Sequence, residues 1–220
     1  MKDLTKKFLS ESEKNSVLNA VSQLEKNTTG ELVPMIVSTS GSYGEYSIIG
    51  SLALAMPLAV INAYLINWWY YDQIDTLLFF FIFFIPLFVL FFLILNDMPC
   101  LKRLFVPKDV MEEEVRETAA YAFLSHGLHN TKNASGVLLY ISIFERRVWI
   151  LADRGINSKL PEGTWDSIVA DLTKGLKQKK NGEGIVTAIN RIGEQLISNF
   201  PADGDSTNEL PDLIVGEEKP

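Results

Sequence analysis

Two stretches without a charged side chain, residues 46–71 and 76–96, constrain this 220-residue chain more than any other feature. A helix rises 1.5 Å per residue and needs about 20 apolar residues to cross a bilayer core. Residues 48–69 (IIGSLALAMPLAVINAYLINWW) meet that length, and so do residues 76–95 (TLLFFFIFFIPLFVLFFLIL). The second run is denser in Phe, Leu and Ile, each of which favours insertion by roughly 0.3 to 0.6 kcal/mol. We therefore expect a transmembrane hairpin over residues 46–97. Pro57 and Pro86 lie inside the spans and predict kinks, not breaks, because neighbouring groups satisfy the carbonyls they free. A secretory signal peptide does not fit, since about 45 polar, helix-patterned residues come first and the run is too long.

Only Trp68 to Asp75 (WWYYDQID) separates the spans, and four successive aromatics suit the headgroup boundary. That loop has no Lys or Arg, whereas Lys102, Arg103 and Lys108 follow the second span closely. Basic residues resist translocation, so both termini are expected in the cytoplasm. LKRLF at 101–105 reads as an ordinary basic flank, not a specific lipid site. Cys100 is the lone cysteine, which excludes an intramolecular disulfide and a Cys-based zinc site; we assign it no role. With 27 acidic and 20 basic residues, net charge −7, the chain lacks the concentrated basic surface a nucleic-acid partner requires.

The flanking segments carry globular patterns. Ser10 and Glu13 have capping-box spacing ahead of Val17, Ala20, Val21 and Leu24, which predicts an amphipathic helix over 10–28. Residues 31–38 (ELVPMIVS) read as a strand, with Pro34 near a bulge or sheet edge because it cannot donate to a ladder. Asp109 and Glu112 have N-cap and N3 spacing for a helix through Val115, Ala119, Ala122 and Phe123 to about Gly127. Residues 136–144 and 147–152 predict a strand pair turning at Glu145 and Arg146. Two more helices are expected, one through Trp165, Ile168, Val169, Leu172 and Leu176, the next through Ile185, Ala188, Ile189, Ile192 and Leu196, with NGEG at 181–184 as the turn between them. Neither end alone holds three strands, and a lone hairpin is marginal in water, so residues 1–45 and 98–201 are expected to form one α/β domain interrupted by the membrane hairpin. Residues 202–220 are acidic and poor in periodicity and are expected to be disordered.

GLHNTKNASGVLLYISIFERRVWILADRGINSKLPEGTWDSIVADL at 127–172, TGELVPMIVS at 29–38 and GIVTAINRIGEQLISNFP at 184–201 together resemble the TPM domain, in particular its bacterial membrane-embedded branch with a two-span hairpin. The resemblance implies a small central sheet flanked by helices, a TPM-like sandwich. It also implies two functional precedents: acid phosphatase or metal-binding activity in some soluble and thylakoid members, and maintenance of membrane complexes in others, with LemA-like proteins as neighbours of the bacterial branch. The chain departs from soluble members, which tend to have a glycine-rich turn where it reads Asp153-Arg154-Gly155. No ligand site carries over to that turn.

Asp153 follows a strand directly, where α/β sheets often present ligand or catalytic groups, and is the first catalytic candidate, with Arg154 beside it. Asp153 and Asp166, with Glu145 and Asp171, would make an oxygen-rich patch suited to Ca²⁺ or Mg²⁺, although no cation-loop signature is present and caps and turns explain the same residues. Glu145, Arg146 and Arg147 are the binding candidates: the arginines, with Arg154, could grip a phosphate or pair with Glu145 and Asp153, and ion pairing is the simpler reading. His126 and His129 are three apart, but without a third ligand they read as a helix C-terminus. No Walker loop, GxSxG elbow or HExxH occurs, and no GxxxG lies in either span. The sequence thus favours a cytoplasmic, membrane-anchored, non-enzymatic module acting on another membrane protein, with a divalent-metal-assisted acid phosphatase as the alternative.

Overall fold

The computed structural model describes residues 3–69, 75–131, 134–202 and 210–216. Its elements in chain order are α1 (Glu11–Glu25), β1 (Glu31–Val37), α2 (Gly44–Trp69), α3 (Thr76–Asp97), α4 (Pro99–Lys102), α5 (Lys108–Ser125), β2 (Gly136–Ser142), β3 (Arg147–Ala152), α6 (Arg154–Asn157), α7 (Thr164–Lys177), α8 (Asn181–Asn199) and β4 (Ile214–Val215). The chain divides into two compact units, one of residues 1–2 and 42–110 and the other of residues 3–41 and 111–220.

The larger unit is a mixed α/β layer structure around a four-stranded sheet of order β3-β2-β1-β4. β1 and β2 run parallel, with Glu31 opposite Gly136 and Val37 opposite Ser142, and β3 returns antiparallel to β2. Residues of β1 and β2 are buried without alternation because both sheet faces are covered. Leu32, Ile36, Val137, Leu139, Ile141, Val148 and Ile150 pack in one core with Val17 and Val21 of α1, Leu172 of α7 and Ile185, Ile189 and Ile192 of α8. Val33, Met35, Val37, Leu138 and Tyr140 form the second core with Val115, Ala119 and Ala122 of α5. At the start of α1 the capping box forms: Glu13 N–H donates to Ser10 Oγ at 3.3 Å, and Ser10 N–H donates to Glu13 Oε2 at 2.8 Å.

Three details differ from the sequence reading. The stretch after Phe200 is not featureless: Ile214–Val215 forms β4, parallel to β1 beside Met35 and Ile36, and Gly216 N–H donates to the Ile36 carbonyl at 3.0 Å. Averaged over an acidic segment, the apolar run Leu213-Ile214-Val215 disappears; locally it is long enough to bury Ile214 to 8% exposure. The rest of that segment, 203–209 and 217–220, lies outside the described residues. NGEG at 181–184 is the first turn of α8, not a connecting turn. Gly182 permits close approach there, since a Cβ on it would lie 2.5 Å from Glu13 Cγ, and one on Gly184 would lie 3.3 Å from Leu172 Cδ1. Asp109 falls within the first turn of α5, not at its cap.

Pro34 is consistent with an edge. Glu31 N–H donates to Ser135 and Val37 C=O accepts from Ile143, so odd residues of β1 face β2 and even residues face the other side. Pro34 therefore turns its missing donor toward β4, which pairs only with Met35 and Ile36.

In the smaller unit, α2 and α3 pack along one another and are long and apolar enough to cross a membrane. Ser47 Oγ donates to Asn96 Oδ1 at 2.9 Å, pairing the start of α2 with the end of α3. Both helices continue through Pro57 and Pro86. On α2 the buried positions Ser51, Ala55, Ala59 and Ala63 recur every fourth residue, a seam of small side chains that permits close packing without GxxxG. On α3, Phe80, Phe84, Phe88 and Phe92 stack with centroids 5.3 to 6.2 Å apart. Of the interfacial loop expected at 68–75, Trp68 and Trp69 end α2, Asp75 caps α3 by accepting from Leu77 N–H at 2.9 Å, and residues 70–74 lie outside the described residues. Lys102 is buried and donates to the Ser42 carbonyl at 3.5 Å; burial holds its ammonium below the usual lysine range, against the pull of Glu45.

Candidate functional site

The candidate residues gather along β3 and the two turns that bound it, but they divide into separate environments. At the β2–β3 turn, Glu145 is 1% exposed. Its Oε1 accepts from Ser40 N–H at 2.8 Å and from Thr39 Oγ1 at 3.2 Å, and its Oε2 accepts from Ser142 Oγ. Ser40 Oγ lies 3.1 Å from Tyr140 Oη, and the Ser40 carbonyl accepts from Thr118 Oγ1 at 3.1 Å. Burial pushes the Tyr140 phenol up to about 12, the nearby Glu145 carboxylate adding to the rise while the Ser40 bond opposes it. A carboxylate placed in this way ties the segment leaving β1 to the hairpin and offers no oxygen to an outside ligand.

Arg147 pairs with Glu112 of α5 at 3.1 Å. Both line a cleft of about 260 Å³ at the outer edge of β3, with Trp149, Trp165 and Asp166. Asp166 stands in the first turn of α7, exposed, where a carboxylate offsets the helix dipole. Arg146 does not join them: it is exposed, has a left-handed φ of 54°, and lines a different groove with Lys177 and Lys179.

At the far end of β3, Asp153 caps α6, its Oδ1 accepting from Arg154 N–H at 2.6 Å. Its Oδ2 is buried with no hydrogen-bond partner among the described residues. Arg154 is exposed beside it. Glu145, Asp153, Asp166 and Asp171 are thus not brought together: Asp171 pairs with Arg191 of α8, and among the described residues no three His, Cys, Asp or Glu side chains converge as a metal site would need. The residues present do not fit a Ca²⁺ or Mg²⁺ ion. Nor does a helix carry His126 and His129 together, since α5 ends at Ser125 and Gly127 has a φ of 74°.

Sequence reasoning missed Lys177 and Lys179 as partners of Arg146. Their one local signal is the KQKK run at 177–180, which reads as favourable charge at a helix C-terminus.

A small mixed sheet between helical layers, with a pair of long apolar helices inserted after its first strand, defines the class. Residues 104–195 match the family model for the TPM domain. Among solved structures, it is similar to the NMR structure of the BA42 protein from the psychrophilic bacterium Bizionia argentinensis, with 21% identity and a TM-score of 0.57 over 96% of this chain and 97% of that one. That likeness is one of fold. No curated protein matches the sequence.

Proposed function

We propose that this chain is a membrane-anchored binding module. Its hairpin spans the bacterial inner membrane, both termini face the cytoplasm, and the TPM domain acts there on another membrane protein or assembly without catalysis of its own. What carries the reading is how the candidate polar groups are used: Glu145 is spent inside the fold, Arg147 is paired with Glu112, and Asp153 caps a helix. By family analogy a LemA-like protein is a candidate partner. In vivo crosslinking followed by affinity capture from gently solubilised membranes should return one recurrent membrane protein, lost when the TPM domain is deleted and the hairpin kept. Recovery of nothing above background would end this reading.

A second reading, a divalent-metal-assisted phosphatase built on Asp153 with Arg154 and Asp166, draws on one observation, the buried and unpartnered Oδ2 of Asp153. Since the residues present do not fit the metal, no catalytic step is derived through it. Calcium and magnesium titration of the parent, Asp153→Asn and Asp166→Asn, with phosphate-ester turnover alongside, tests it. Saturable binding and turnover lost in Asp153→Asn would favour it over the binding module.

A further inference from the structure

Beside the β2–β3 turn the charge balance of this acidic chain reverses. A groove of about 210 Å³ is rimmed by Arg146, Lys177 and Lys179, and no Asp or Glu lines it. Its apolar wall is made by Phe8, Ile141 and Ile143 with Leu176. Asn181 closes one end with its amide committed to the Phe8 carbonyl at 2.8 Å. None of the three cations pairs with a carboxylate among the described residues; the ion pairs go instead to neighbours, Arg147 to Glu112 and Lys180 to Glu183. Glu145, next in sequence to Arg146, is turned inward onto Ser40 and Ser142 and does not reach the rim.

A second observation is independent of charge. Arg146 and Lys179 have φ of 54° and 60°, and they are two of only four non-glycine residues with left-handed backbone among those described. Such a conformation is unfavourable for a side chain with a Cβ and natural for glycine. Two strained positions, on different elements, both set a long cation at the edge of one groove. The backbone is set locally, by the β2–β3 turn at Arg146 and by the end of α7 at Lys179, where Lys180 N–H donates to the Gly175 carbonyl at 3.2 Å; what stands out is that a long cation and not glycine fills both positions.

We propose that this groove binds a single-chain anionic amphiphile, its carboxylate or phosphate head held by Arg146, Lys177 and Lys179 and its chain lying on Phe8, Ile141, Ile143 and Leu176. The arginine fork suits a planar or tetrahedral oxyanion bidentately, and the lysines add point charge. Three unpaired like charges repel a cationic ligand, and the apolar wall has nothing to offer a small polar anion beyond the head. The volume amounts to roughly seven water-sized units of ~30 Å³, room for an acyl segment of about that many carbons. The inference is independent of whether the domain also binds a membrane protein.

The test uses the full chain in phosphatidylcholine nanodiscs, titrated calorimetrically against empty discs. The probes are octyl phosphate, octanoate, inorganic phosphate, octanol and octylammonium. Octyl phosphate and octanoate should saturate, with the other three weaker by about tenfold or more. Arg146→Gly with Lys179→Gly should weaken octyl phosphate by about tenfold while the thermal midpoint holds or rises, because glycine suits both backbones. Lys177→Glu, a change at a residue of ordinary helical backbone, should weaken it too. Adding phosphatidylglycerol to the disc then separates sources: no competition assigns the groove to a free single-chain amphiphile, and competition by this two-chain bilayer lipid would overturn the single-chain reading. Inorganic phosphate or octanol binding as tightly as octyl phosphate would overturn the proposal. So would an unchanged affinity in folded variants, or no saturable binding by any probe.

Discussion

Glu25 offers a quantitative test of how the larger unit is held together. It is the last residue of α1, where the helix dipole already disfavours a negative charge. Burial, then Glu31 at the start of β1, then Asp212 ahead of β4, push its carboxyl up to about 8 from an ordinary 4.5. Between those values the folded chain holds a proton that the unfolded chain releases, so each rise in pH disfavours folding. The stabilising contribution is complete below about pH 4.5 and is lost as pH climbs through 8. Glu25→Gln keeps the shape and never ionises. Because the side chain is partly exposed, solvent screening cuts the full linkage, and we expect the variant to be more stable by on the order of 1–2 kcal/mol at pH 8 and about equal to the parent near pH 5. Urea unfolding at several pH values, followed by emission of Trp149 and Trp165 with Trp68 and Trp69 replaced by Phe, would read the difference. Asp212→Asn should recover part of the same gain. Parallel stability curves for parent and Glu25→Gln from about pH 5 to pH 8 would refute the reasoning.

Other expectations follow from close contacts and from topology. Gly136→Ala would set a Cβ 2.2 Å from the Leu128 carbonyl oxygen, a backbone atom that cannot swing aside, and should cost about 3 kcal/mol in denaturant unfolding. Glu145→Ala strips acceptors from Ser40 N–H and Ser142 Oγ and should cost about 2–3 kcal/mol, with Glu145→Gln milder because it keeps an acceptor. For orientation, an impermeant maleimide should label Cys100 in inverted vesicles but not in spheroplasts, and Trp69→Cys in a Cys100→Ser background should show the reverse pattern.

Much of the fold was legible because its signals are local. Absence of charge marks α2 and α3, and the spacing of Ser10 and Glu13 marks the start of α1. What was hidden depends on residues far apart. Arg146 was expected to pair with a neighbouring carboxylate, but Glu145 faces Ser40, 105 positions away in the chain. The groove around Arg146 draws Phe8, Ile141 and Lys177 from three separate segments, and no spacing rule connects them. β4 was lost because the three apolar residues Leu213-Ile214-Val215 in an acidic segment are too few for any periodicity, and their strand exists only because β1 leaves an edge for them. The small-residue seam on α2 escaped a search for glycine pairs since alanine and serine do the same work.

The parallel pairing of β1 with β2 also fixes an order of events during synthesis. Glu31 must meet Gly136, yet both apolar helices are made in between. At about 5–20 residues per second, β1 waits on the order of 5–20 s before its partner strand emerges, with an apolar sequence meant for burial on both faces. Because α2 and α3 leave the ribosome within that wait, a chain that delivers them to a membrane does so before the sheet can close. The sheet's closure is then a late event that reports on what came before it, and a nascent chain stalled ahead of Gly136 would hold β1 as a handle for chaperones.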